Sequence, residues 1–492
     1  MTDSSYDVVV VGGGTAGSVV ASRLASSGAE VCLIEEGPSD RAHPEVSDVR
    51  NWLSVLGGAL DRALPMAPPY SHQAYSTGRV LGGSSSLNNV WAFETPDWDL
   101  HRWVADGMSH EQAGSLAGVR PRVRTSMGAV PIADGHPASA AFLEALAETG
   151  FGPTDLGHED LVDGAGWVRM TARGTTRRSA ATAYLHERPA ERLTVVVDTP
   201  VRHVLIGANG RVQGVVTDRE TIRSSQVVVC AGSLSTPGLL IRSGIGAADE
   251  LSRLGAPVRV DQPHVGRHLQ DHPLTGVTYR AGTFEPTTRS HGWETAAFAP
   301  SAVTGEEHAF CLLFSTTPSP FGMSAESPHL AGGGYTLAAY LSRPRSRGSV
   351  RLASTDPADA PLVTAPLLTD PEGLDRAALV EVTELLREIG DKPALARWLA
   401  DEVEPGRQIA GDDLAQFIGA TLGTMFHPTS TCRMGTDPAE SVVSEEFSVW
   451  GVEGLRVCDA SVIPAVPTVP PYLTCVMLAE RCSDVMIDDA RR

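Results

Sequence analysis

The run Gly12-Gly13-Gly14-Thr15-Ala16-Gly17 constrains this chain more than any other feature. It follows a continuous apolar, β-branched stretch at 6–11 and opens a helical pattern, AGSVVASRLASSG, that ends at Gly28. A second apolar run, EVCLIE at 30–35, completes a β-α-β unit. In a G-x-G-x-x-G turn the first glycine permits the tight bend, the second lets the backbone approach a pyrophosphate, and the third lets the helix pack closely on the strand. The helix N-terminus then faces the phosphates. Glu35 ends the second strand eighteen residues after Gly17, where a carboxylate can accept hydrogen bonds from ribose hydroxyls and disfavour a 2′-phosphate. These residues predict an α/β fold with a Rossmann-type domain and a bound dinucleotide, without choosing between FAD and NAD.

A chain of 492 residues exceeds the roughly 250–300 that one core accommodates, so two domains are expected. The balance of 39 basic to 59 acidic residues, a net charge of −20, repels phosphate backbones, and no nucleic-acid partner is expected. No segment approaches the roughly 20 apolar residues of a membrane span. The start, MTDSSYDVVVVGGG, lacks a basic region followed by an apolar stretch and cleavage site, which reads as cytoplasmic. Seven cysteines, an odd number with no CxxC pair, read as buried free thiols.

Strand candidates cluster at 193–232, and others occur at 308–316 and 335–342; amphipathic helices are expected near 374–390 and 411–421. Motifs of the kind that hold cofactors recur in separated blocks, so the chain should cross between domains several times. The expected partition assigns 1–42, 76–99, 191–275 and 422–492 to the cofactor domain. Residues 43–75, 100–190 and 276–421 then form a discontinuous α+β substrate domain on an antiparallel sheet.

Three further blocks make the chain resemble the glucose–methanol–choline (GMC) oxidoreductases. The first runs from Gly78-Arg79-Val80-Leu81-Gly82-Gly83 to Asn88 and on through Trp91, Phe93 and Pro96. The second is Cys230-Ala231-Gly232-Ser233 through Gly246, continued by Val265-Gly266-Arg267-His268-Leu269-Gln270-Asp271-His272-Pro273. The third joins Phe426-His427-Pro428 and Cys432-Arg433-Met434-Gly435 to Asp459-Ala460-Ser461 and a final helix. His268 and His272 have metal-ligand spacing, but Pro273 argues against a helix there, and the resemblance implies a structural turn; no metal is expected.

The resemblance implies FAD, held by Gly12, Gly14, Thr15, Ala16, Gly17 and Glu35 in the first motif and by Val80, Gly83, Asn88 and Val90 in the next. It adds Val201 against the adenine, with Ala231, Asp459, Ala460 and Pro471. It also implies oxidation of an alcohol to a carbonyl, with hydride passing to flavin N5, His427 as base and Asn88 close to the flavin. A base with pKa near neutrality suits loss of the hydroxyl proton. Electrons would then go to oxygen or a redox carrier. The short length, the reduced region at 38–77 and the proline-rich 467–471 are similar to GMC dehydrogenases associated with mycofactocin, which would imply a carrier.

Two positions depart from the family pattern. The second active-site His or Asn should lie eleven residues after Asp459, yet position 470 is proline, which neither takes a proton nor donates a hydrogen bond. Either His427 works alone, or Tyr472, Thr468 or Thr474 supplies the missing group, or the reaction is different. The alternatives to alcohol oxidation are a lyase or other tailoring reaction on the same scaffold, and an FAD relay to a partner carrier. The second departure is Leu87, which stands where relatives with covalent FAD have histidine, so the flavin should be noncovalent. Trp293 and Phe298 could line a substrate pocket, but core packing is the stronger reading of both.

Overall fold

Val8–Val11 form the middle strand of a five-stranded parallel sheet, and all four valines are buried, as a strand covered by helices on both faces requires. The spatial order is 193–196, 31–34, 8–11, 227–229, 455–457, every pair parallel. Helix Thr15–Ser26 packs against the carboxy-terminal helix Tyr472–Arg491. A smaller sheet of 4–5, 221–223, 212–217 and 201–206 completes this layer. The structure is a computed structural model that describes residues 4–132, 134–157, 163–286, 291–319, 321–322 and 327–492. The first three residues of the amino-terminal stretch read above lie outside that set.

The second layer is an antiparallel sheet in the order 399–404, 273–281, 334–341, 310–315, 293–299, 164–167, with 423–424 pairing onto 273–274. Helices Leu374–Gly390 and Pro137–Glu148 pack against this sheet around Phe142, Leu312, Phe314, Tyr335 and Leu379. A separate cluster containing Trp91, Phe93, Trp293, Phe298 and Tyr340 joins residues of this sheet to residues of the first signature block.

The expected strands at 193–232, 308–316 and 335–342 and both amphipathic helices form where their periodicity placed them. The partition of 100–190 needs correction. Helix His110–Met127 packs on the carboxy-terminal helix, and Leu100, Trp103, Leu116, Val119 and Val123 join the core of the parallel sheet. Residues 100–127 therefore side with the nucleotide layer. Strand 399–404, LADEVE, escaped the sequence reading because its polar residues give no apolar run; only Leu399 and Glu404 are buried.

Candidate active site

A cavity runs from the end of the parallel sheet to the antiparallel one. At its first end the three glycines perform different tasks. A Cβ on Gly17 would lie 1.8 Å from the Gly12 carbonyl oxygen, so only glycine lets the helix sit this close to the strand. A Cβ on Gly83 would lie 2.7 Å from Gly14 Cα, so the two glycine loops meet back to back, tied by Gly82 N–H donating to Gly13 O at 2.7 Å. Helix Thr15–Ser26 has no side-chain cap, which leaves its first N–H groups available to a phosphate. Glu35 closes this end: Oε2 accepts from Gly13 N–H at 2.7 Å and Oε1 from Gly37 N–H at 2.8 Å. Burial raises its pKa to about 7, against the pull of those two hydrogen bonds. Glu36, beside it, pairs with Arg62 and Arg79. The side-chain-free cradle and its donors fit a dinucleotide pyrophosphate.

Asn88 and Asp459 occupy the middle. Asn88 Oδ1 accepts from Val90 N–H and from Arg177 Nη1, both at 3.0 Å. Both partners can only donate, so the oxygen is fixed toward them, and the amide N–H₂ is left for a ligand in the cavity that Asn88 lines. Arg177 is itself buried and also donates to the carbonyls of Val46 and Ser85. Asp459 accepts from Gly232 N–H at 2.8 Å, from the Thr236 hydroxyl at 2.6 Å and from Ser461 N–H at 2.8 Å, while burial raises its pKa.

His427 stands at the far end. Its Nδ1 lies 2.9 Å from His272 Nδ1, and His272 Nε2 lies 3.0 Å from the Pro467 carbonyl oxygen. These contacts fix both tautomers. A carbonyl only accepts, so His272 carries its proton on Nε2 and presents a bare Nδ1; His427 Nδ1–H donates to it, and His427 Nε2 keeps a free lone pair. Among the described residues no protein group hydrogen-bonds that Nε2 nitrogen, and the ring lines the cavity. Burial, reinforced by His272, holds the His427 pKa well below the ordinary histidine value, and burial brings His272 down to about 3.

The backbone around His427 is strained and tied down. Phe426 (φ 57°) and Ser430 (φ 71°) are both left-handed, at about 1–3 kcal/mol each. Asp271 Oδ1 accepts from His427 N–H and from His272 N–H, each at 2.8 Å, and Asp271 also accepts the Thr424 hydroxyl. Burial lifts the Asp271 pKa to about 6, opposed by these donors. Tyr340 stacks on His272 with centroids 4.6 Å apart.

Most of the expected site residues line this one cavity: Gly12, Gly14, Thr15, Ala16, Glu35, Gly83, Asn88, Val201, Ala231, His427, Asp459, Ala460, Pro471 and the ring of Tyr472. Gly17 acts behind the wall; the side chains of Val80 and Val90 are fully buried, Val80 packed with the cavity-lining Leu87 and Val90 with Val49 and Met170. The expectation that Tyr472, Thr468 or Thr474 replaces the partner missing at Pro470 also fails. The Tyr472 hydroxyl faces the Arg178 carbonyl and Thr171, and burial pushes its pKa up to about 12. Thr468 is held by Asp99, and Thr474 pairs with Thr95. His272, read from sequence as part of a structural turn, is the residue that reaches His427. Its motif partner His268 instead stacks on His264. The Asp271-His272 pair directly before Pro273 was the available signal. Trp293 lines the cavity, whereas Phe298 packs in the core against Phe93.

Family models described as GMC oxidoreductase match residues 6–274 and 344–479. The chain is 34% identical to choline oxidase of Arthrobacter globiformis, over 99% of this chain and 95% of that protein. It is 32% identical to 5-(hydroxymethyl)furfural oxidase of Methylovorus sp. (strain MP688), over 100% of both. Pyridoxine 4-oxidase from Mesorbium loti superposes with a TM-score of 0.87 at 27% identity, covering 97% of this chain and 98% of that one. The chain belongs to the GMC oxidoreductase family, FAD-dependent enzymes that act on the CH–OH group of their donors.

Proposed function

We propose that His427 Nε2 is the base that takes the hydroxyl proton of the alcohol, and that His272 is the positioning residue that keeps this nitrogen unprotonated. The single observation behind the reading is the 2.9 Å Nδ1–Nδ1 contact, whose far side is pinned by Pro467 O. Bound FAD supplies the hydride acceptor. The cavity-lining residues of 1–42, 76–99, 191–275 and 422–492 would hold the cofactor, and the free amide N–H₂ of Asn88 would be available to donate to it. It is noncovalent, because Leu87 offers no nucleophile. When His427 takes up the proton, its Nδ1–H still donates to His272, and the neighbouring Asp271 carboxylate offsets the new charge. Pro470, on the cavity wall, contributes no hydrogen bond to the alcohol oxygen.

The electron acceptor is oxygen or a redox carrier, and the speed of flavin reoxidation in air distinguishes them. We place the protein in the cytoplasm: the seven cysteines are all unpaired and buried, which suits a reducing compartment, and no described helix is long and apolar enough to cross a membrane. The direct test is anaerobic mixing of the holoenzyme with alcohols while following the flavin absorbance. Bleaching is expected; failure of every alcohol to bleach would leave the lyase or relay alternatives.

A further inference from the structure

We propose that Asp99 is a further positioning residue for the reaction: by holding the peptide unit that joins Pro467 to Thr468, it sets the tautomer of His272 and so keeps the lone pair of His427 free. The inference rests on the reading of His427 Nε2 as the base and names what fixes it from outside the cavity. Residues 464–471 contain four prolines, Pro464, Pro467, Pro470 and Pro471, and lie between the short turn Ala460–Val462 and helix Tyr472–Arg491, in no helix or strand of their own. Such a segment cannot set its own peptide planes through a ladder, and its remaining backbone groups need partners from elsewhere.

Helix Asp97–Ala105 supplies several of them. Trp103 Nε1–H donates to Ala465 O at 2.8 Å, and Arg102 donates to Val466 O. Asp99, fully buried, accepts twice from one residue: Oδ2 takes Thr468 N–H at 2.7 Å and Oδ1 takes the Thr468 hydroxyl at 2.9 Å. A carboxylate accepts only, so the hydroxyl proton points at Asp99, and Thr468 Oγ1 is left to accept Trp98 Nε1–H at 3.2 Å.

The consequence lies in the peptide unit itself. Thr468 N–H and Pro467 C=O belong to one planar trans amide and therefore point in opposite directions. With the N–H turned to Asp99, the carbonyl is turned to His272 Nε2, 3.0 Å away. Were this peptide flipped, an N–H would face that nitrogen instead. His272 would then need a bare Nε2 and carry its proton on Nδ1, and His427 Nδ1 would become the acceptor of the contact between the rings. His427 would hold its own proton on Nε2, the site that must receive the alcohol's. The two hydrogen bonds of Asp99 oppose that inversion, although neither Asp99 nor Thr468 lines the cavity.

A double-mutant cycle on the holoenzyme tests this. The limiting rate of anaerobic flavin reduction is measured with whichever of ethanol, benzyl alcohol and choline reduces the wild type fastest. Asp99→Ala should retain its FAD, keep the apparent Kd of the alcohol within about threefold and lower the limiting rate about 100-fold, inside the range of general-base catalysis. In a His272→Ala background the same change should slow the enzyme no further, because the residue through which Asp99 acts is gone. Losses that multiply in the double variant, or an Asp99→Ala enzyme at the wild-type rate, would overturn the proposal. If Asp99→Ala does not fold, Thr468→Val carries the same cycle: losing one of the two hydrogen bonds should slow reduction about tenfold, and only where His272 is present. A second arm needs no turnover. In holoenzyme labelled with 15N-histidine, one-bond 1H–15N coupling shows which ring nitrogen of His272 bears the proton, its signals being those lost in His272→Ala. The proton should sit on Nε2 in the wild type and appear on Nδ1 in Asp99→Ala or Thr468→Val; a proton that stays on Nε2 in both variants rejects the proposal. If it moves as expected while no alcohol bleaches the flavin, the role of Asp99 stands and the base reading alone fails.

Discussion

The two ends of the cavity are built on opposite principles. At the glycine end, side chains are removed so that backbone can meet backbone and offer N–H groups: Gly12, Gly17 and Gly83 each sit where a Cβ would strike a neighbour. At the histidine end, side chains are added, and one imidazole is given its chemistry by others: His272 fixes the tautomer, Asp271 fixes the backbone, and the Pro467 carbonyl fixes His272. The first end therefore tolerates no added atoms. The second tolerates atoms but not a changed proton.

Steric removal should give the largest effect. Gly17→Ala must push the helix off the strand, at a cost on the order of 3 kcal/mol or more, and should yield protein retaining less than about a tenth of its FAD. Flavin absorbance relative to protein after desalting measures this; full FAD occupancy would show that the close approach is dispensable. At the other end, His427→Ala should keep its FAD yet slow anaerobic flavin reduction about 10³-fold, the range of general-base catalysis. An equal loss of cofactor in both variants would erase the distinction between the ends.

A smaller effect separates His272 from His427. The folded-state pKa of His272, about 3, lies below the unfolded value of about 6.5. The unfolded chain therefore gains the extra proton as pH falls, and the folded state loses stability below about pH 6.5. Two pH units of this linkage amount to about 3 kcal/mol. His272→Asn lacks the titration, so its thermal midpoint should approach that of the wild type as pH drops from 7 to 4.5. A constant gap would mean that His272 titrates normally. The smallest expected effect is that of Arg177→Lys, which loses the fork that holds Asn88 Oδ1. With FAD still bound, flavin reduction should slow about tenfold, near 1.4 kcal/mol; an unchanged rate would show that the Asn88 amide is oriented without it.

The same contrast explains what could be read from sequence. Gly12, Gly14, Gly17 and Glu35 are local: their spacing along one β-α-β unit follows from backbone geometry, and the structure places all four at the expected turn. Asp271, His272 and Pro467 become meaningful only through contacts 156, 155 and 195 residues apart in the chain. No periodicity signals such contacts. Helix His110–Met127 shows the same limit in the fold: its weak amphipathic pattern gave no hint that it would pack on the last helix. Val80 and Val90 are expected at the cofactor from family position alone; their side chains pack in apolar clusters, while Arg79, Asn89 and Trp91 beside them in the chain line the cavity.

The central claim, that its surroundings keep His427 a neutral base, is tested most directly by the pH dependence of anaerobic flavin reduction at saturating alcohol. Because burial and His272 hold the His427 pKa well below the ordinary value, the base stays deprotonated, and in Asp271→Asn, which removes the neighbouring carboxylate that titrates near 6, the limiting rate should remain level from pH 8 down to about 5. A rate that falls through a single titration near pH 6.5 would contradict the account, since it would reveal a histidine that titrates as if in water.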